Sequence, residues 1–177
     1  MKALLSFLQR ANERLAVAAG LLLLVSVTVT LFDIVTRPFG LSLGGTDELS
    51  GYAMAIATSW GVSYALTSLA HVRIDLVRTR CSSRLQALFD MVAILSLAGV
   101  ATIIAYRGWP VLSKTIETNA TANTTLETPL WIPQSLWFAG WVWFALSALV
   151  LAVCVVVFVA SGKSEEVQDV AGMRGEV

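Results

Sequence analysis

Four long runs without a single charged residue alternate along the chain with short polar connections. Leu15–Phe32, Leu49–Ala70, Met91–Tyr106 and Thr128–Gly162 contain no Asp, Glu, Lys or Arg. At ~1.5 Å per residue in a helix, such runs reach about the ~30 Å of a bilayer's hydrocarbon core. In lipid the backbone has to satisfy its own polar groups, so each run predicts an α-helix. The third run is the shortest, and it becomes long enough over Leu85–Trp109 with Asp90 and Arg107 near the interfaces. The pattern predicts an all-α integral membrane protein. Four transmembrane helices are expected over residues 15–37, 48–70, 84–109 and 131–160, in one domain covering 1–177 with a disordered tail over 162–177.

The first run follows Lys2, Arg10 and Arg14, as in a signal peptide, but ends at Asp33-Ile-Val-Thr-Arg37 without a small-x-small cleavage site. It is expected to remain as the first span. The first dozen residues also fit a short interfacial helix with Leu4, Leu5, Phe7 and Leu8 turned toward lipid. Orientation follows from the bases. Lys2, Arg10, Arg14, Arg73, Arg78, Arg80, Arg84, Lys163 and Arg174 fall on one side, against Arg37, Arg107 and Lys114 on the other. Basic connections stay in the cytoplasm, so both termini are expected inside a bacterial inner membrane.

Within this frame several polar positions stand out. Asp33 and Arg37 are four residues apart, share a helix face and are expected to pair near the outer interface. Asp47 and Glu48 open the second span, where acids favour the positive end of the helix dipole. Along that span Gly51, Ala55, Ser59, Ser63 and Thr67 recur every four residues, a small-residue stripe on which another helix can pack closely. Ser82 or Ser83 is expected to cap the third span, which has room to continue past Pro110 toward Glu117 as a kinked extension. Trp131, Trp137, Trp141 and Trp143 crowd the outer part of the fourth span, in the manner of an interfacial aromatic belt.

Composition changes this picture little: 56% of residues are hydrophobic and 14% charged, well outside the range of a soluble domain of this size. The chemistry it excludes matters more. With one histidine, two axial imidazoles for a haem are impossible within the chain, and a zinc site would need borrowed ligands. No Ser/His/Asp set, Cys/His set or Gly-rich phosphate loop is present. No catalytic residue, cofactor, metal or nucleic-acid partner is therefore expected. Cys81 and Cys154 fall in different environments and are not expected to pair. All four prolines lie at or beyond the span ends, unlike the broken mid-membrane helices where secondary transporters bind substrate. Simple uncharged spans suit a scaffold.

The order of Asp47-Glu48, the Trp60-Gly61 region, Ala70-His71-Val-Arg-Ile-Asp75 and Thr128-Pro-Leu-Trp-Ile-Pro133 resembles the small membrane subunit of the tripartite ATP-independent periplasmic (TRAP) transporters. The resemblance runs from the first span to Val159. That family often carries an aromatic residue and two glutamates before span two, where this chain has Gly45-Thr46-Asp47-Glu48. The resemblance implies a non-catalytic, stator-like subunit bound to a large membrane subunit. The large subunit handles sodium ion and imports an organic acid delivered by a periplasmic solute-binding protein; membrane lipid surrounds both. Under it, Asp47, Glu48, Gly51, Ala55, Ser59, His71, Arg73 and Asp75 become the candidate partner interface. Two readings stay open for the acids, dipole capping or a polar partner contact, and two for His71, Arg73 and Asp75, a solvated basic connection or an ordered contact. On the second, Asp75→Ala is expected to weaken subunit association. Two other classes remain: an independent channel or carrier assembled through the small-residue stripe, and a membrane anchor of a redox enzyme.

Overall fold

The computed structural model describes residues 2–68, 83–124 and 126–161. Four helices carry nearly all of it: α1 (Lys2–Thr36), α2 (Thr46–Thr67), α3 (Ser83–Thr118) and α4 (Trp131–Ala160). Among the described residues there is no strand, only an isolated bridge between Thr121 and Pro129. His71, Arg73, Asp75, Cys81 and the expected tail lie outside the described residues.

The helices form an open row in the order α1–α2–α4–α3. α2 packs against α1 on one side and α4 on the other, while α3 packs on α4. The two described connections, 37–45 and 119–130, lie at one end of this row, since Thr124 of the second touches Glu48 at the start of α2. That is the loop end; the start of α1 and the end of α4 lie at the opposite, terminal end.

α1, α3 and α4 are each long and apolar enough to cross a membrane. α2 is not among them, although its 22 residues extend ~33 Å. Its sequence mixes Ser, Thr, Gly and Ala with few large aliphatics, because it occupies the middle of the row where neighbours approach closely. Ala53, Ala57, Ser59, Ser63, Leu66 and Thr67 are its buried positions below Thr46.

Two helices run further than the charge-free blocks. α1 is continuous for 35 residues, ~52 Å, so no separate interfacial helix precedes the first span. Leu4 and Phe7 are exposed, as expected for lipid-facing positions, but Leu8 is 6% exposed and belongs to the core, with Leu5 packed against it. The turn that was to lie on the membrane instead lays one face on the other helices. α3 runs 36 residues with Pro110 inside, so the extension past the proline forms. Asp90, expected at an interface, is buried at 2% exposure.

The core is small-residue packing around α4. Ala87, Ile94, Ala98 and Ala101 of α3 meet Phe144, Ala148, Leu151, Ala152 and Val155 of α4. Helix association in lipid lacks the hydrophobic drive available in water, so close backbone approach and interhelical hydrogen bonds have to hold the row. At the α2–α4 joint, a Cβ on Gly140 would stand 2.8 Å from Ser59 Cβ and 3.0 Å from its backbone carbon. Only glycine fits there.

Candidate partner-contact site

Three polar clusters hold the row together, and they claim several of the side chains in question. The first closes the α1–α2 link. Asp33, fully buried near the end of α1, accepts four hydrogen bonds. Arg37 Nη2 donates to Oδ2 at 2.7 Å, and the Thr46 hydroxyl to the same oxygen at 3.1 Å. The Leu43 backbone N–H donates to Oδ1 at 2.7 Å and the Ser42 hydroxyl at 3.2 Å. The Asp33–Arg37 pair expected from spacing is therefore present, but as part of a larger knot. A carboxylate can hold about four such donors, so this one is saturated. The chain reaches it by a 3₁₀ turn over Arg37–Phe39 and a left-handed Gly40 at φ 75°. It enters α2 through Gly45 at φ 72°, where the Leu126 side chain fills the space a Cβ would need.

The second cluster joins α2 to the 119–130 connection. Glu48 Oε1 accepts a 2.6 Å hydrogen bond from Tyr52, one turn along α2, and Oε2 accepts one from Thr124. The connection is shaped for this contact by the Ala122 N–H to Thr128 carbonyl bond (2.9 Å) and the Leu130 N–H to Ala120 carbonyl bond (3.0 Å). Its left-handed residues, Asn119 and Glu127, allow the chain to fold back. Glu48 is thus an internal tie. Asp47, its neighbour, is exposed.

The third cluster lies toward the terminal end. Asn12 of α1 is fully buried. Its Nδ2 donates to the Ser63 carbonyl at 3.0 Å and the Thr67 hydroxyl at 3.2 Å, both on α2. Its Oδ1 accepts from Trp143 Nε1 of α4 at 2.7 Å. One side chain thereby ties three helices. Trp60 adds a direct α2–α4 bond, donating to the Leu136 carbonyl at 3.0 Å.

The candidate interface residues do not share one fate. Gly51 and Ala55 are exposed, and a Cβ on Gly51 would meet nothing within 4 Å. Ser59, by contrast, is fully buried against Gly140, and Ser63 and Thr67 are buried with it. The stripe splits because a four-residue step overshoots one helical turn by about 40°, so over four steps it winds about 160° around the helix. Its loop-end half faces outward; its other half makes the α2–α4 joint and the Asn12 junction. At the loop end, Asp47, Gly51 and Ala55 remain on the open surface.

Asn12, Ser42, Thr46 and Thr124 carry the geometry without having been singled out by sequence, and Trp143 does so in a role its sequence position did not suggest. Asn12 had one legible signal: Leu8 and Asn12 are four apart, which puts a lone amide on the buried apolar face of α1. Trp143, placed in the aromatic belt by its position, turns its indole N–H inward to Asn12. Trp137, Trp141 and Phe144 stack edge-on along α4, with ring centroids 6.5 and 6.0 Å apart. Among the described residues no group of three or more His, Cys, Asp or Glu side chains is placed to hold a metal ion.

Comparison with known proteins adds one finding. The family model described as "Tripartite ATP-independent periplasmic transporters, DctQ component" matches residues 26–163, from mid-α1 to just beyond α4. No curated protein and no solved structure matches.

Proposed function

Because the chain belongs to the DctQ-component family of the tripartite ATP-independent periplasmic transporters, we propose that it is the non-catalytic, stator-like small subunit of such a transporter. In this reading α2 crosses the membrane with the other three helices, and both termini face the cytoplasm of a bacterial inner membrane. A large membrane subunit moves an organic acid with sodium, a periplasmic binding protein delivers the acid to the loop end, and this chain widens the fixed frame.

The observation that carries the reading is the uncovered flank of α1. None of its most apolar eighteen residues is buried within the chain, whereas half of the corresponding stretch of α4 is. A row with an open side offers a second membrane protein a broad apolar wall. Shape complementarity and close packing, rather than solvent exclusion, would set that association. The polar side chains support the same reading from another direction. Asp33, Asn12 and Glu48 are each occupied in tying elements of this chain together, so these three groups are not free to line a path for a solute.

The test is co-expression of the tagged chain with the large subunit of the same transporter. Near-equimolar recovery of the large subunit after solubilisation is expected, and vesicles containing this chain alone are expected to pass no organic acid. Failure of the two to co-purify, or flux through the chain alone, would contradict the reading.

A further inference from the structure

We propose that a cleft beside the first turns of α1 is a binding site for one anionic phospholipid. The cleft, of about 570 Å³, lies where α1 and α4 diverge across α2. Phe7 and Leu15 of α1, Trp60 of α2 and Trp143 of α4 form its apolar walls, and Arg10 and Arg14 stand on its α1 side. Both indole N–H groups are already bonded within the protein, Trp60 to Leu136 and Trp143 to Asn12. The walls therefore present ring faces, which suit an acyl chain and offer nothing to a polar ligand.

The arginines are the charged feature of the cleft: Arg14 stands nineteen residues of helix, ~28 Å, from Asp33, with Arg10 one turn beyond it. Among the described residues Arg10 donates to Ser6, at 3.1 Å to its carbonyl and 3.5 Å to its hydroxyl, within the same helix. Arg14 makes no side-chain hydrogen bond or ion pair with another described residue. Glu13 lies beside both arginines and neutralises neither by direct contact. Two guanidiniums a turn apart, above an apolar slot, match a phosphodiester whose chain descends along Leu15 and the two indoles. The charge of the site selects an anionic headgroup over a zwitterionic one.

The proposal requires membrane embedding but not the frame function, and its test reads lipid rather than transport. The chain alone and, where the two co-purify, its complex with the large subunit are each equilibrated with vesicles of equal phosphatidylglycerol and phosphatidylcholine. Retained lipid is then counted by native mass spectrometry. One phosphatidylglycerol per chain is expected, with retention falling about fivefold for each arginine lost in Arg14→Gln and in Arg10→Gln/Arg14→Gln. Lys114→Gln, an exposed base at the loop end, is expected to leave retention unchanged. Both arginines are exposed, so the variants are expected to elute as the parent does. Equal retention by parent and double variant would overturn the proposal, as would equal retention of the two lipids by the parent. Phosphatidylglycerol held by the free chain but absent from the complex would also overturn it and assign the cleft to the protein partner.

Discussion

α1 and α4 are built from the same aliphatic residues and are similar in length, yet they occupy opposite situations. α4 has neighbours on two sides and buries Phe144, Ala148, Leu151 and Val155 among them. α1 touches α2 along one edge and exposes Val17, Leu21, Leu24, Val25, Leu31 and Val35, each more than half uncovered. The lesson is that hydropathy sets which segments enter lipid, and small or polar residues set which of them pack. α4 offers Gly140, Ala145, Ser147, Ala148 and Ala152 to its neighbours. α1 offers large aliphatics through its middle and is held near its two ends, by Asp33 at the loop end and Asn12 toward the other.

Substitutions can break this contrast, and the largest effect is expected at the joint itself. Gly140→Leu forces a side chain into Ser59 and separates the α1/α2 pair from the α4/α3 pair. A loss of about 3 kcal/mol is expected, at the top of the usual overpacking range, read as an early thermal transition in detergent. Asp33→Asn should rank next. An amide keeps the shape but turns N–H groups toward a site supplied only with donors, so Tm should fall and the 37–45 link become open to protease. Asn12→Leu removes three interhelical bonds worth about 0.6 kcal/mol each in membrane proteins, a total near ~2 kcal/mol. It should release the first turns of α1, detectable as faster amide exchange there with α4 unchanged. A similar loss of protection in α4 would sink the idea that α1 is pinned separately.

The smallest change sharpens the comparison. Asp47→Asn alters an exposed carboxylate and is expected to leave Tm within about 0.5 kcal/mol of the parent. On the proposed function it should weaken recovery of the transporter's other components, whereas Thr124→Val, which loosens the Glu48 tie, should lower stability slightly without that loss. If both variants co-purify alike with the parent, the loop-end acids serve only this chain.

Much of the architecture was legible in the sequence, because charge-free runs mark the long apolar helices directly. The Asp33–Arg37 pair was legible too, since its partners are four residues apart on one helix. The remaining members of that knot were not. Leu43 contributes a backbone N–H, which no side-chain pattern reveals, and Ser42 and Thr46 reach Asp33 only after the link folds. Asn12 and Trp143 lie 131 positions apart, and their meeting depends on the row order α1–α2–α4–α3, which hydropathy does not encode. The stripe on α2 was legible as a close-packing surface, but not what it packs on: its winding divides it between an exposed half at Gly51 and Ala55 and a buried half at Ser59 and beyond.

The claim that this chain is a fixed frame for a separate transport subunit is tested most directly by reconstituted uptake. Proteoliposomes carrying the large subunit, with binding protein outside and an inward sodium gradient, are compared with and without this chain, and with this chain alone. The account predicts organic-acid accumulation when both membrane subunits are present, a severe loss when this chain is omitted, and none when it is alone. Full accumulation by the large subunit without it, or any sodium-driven uptake by this chain on its own, would contradict the account.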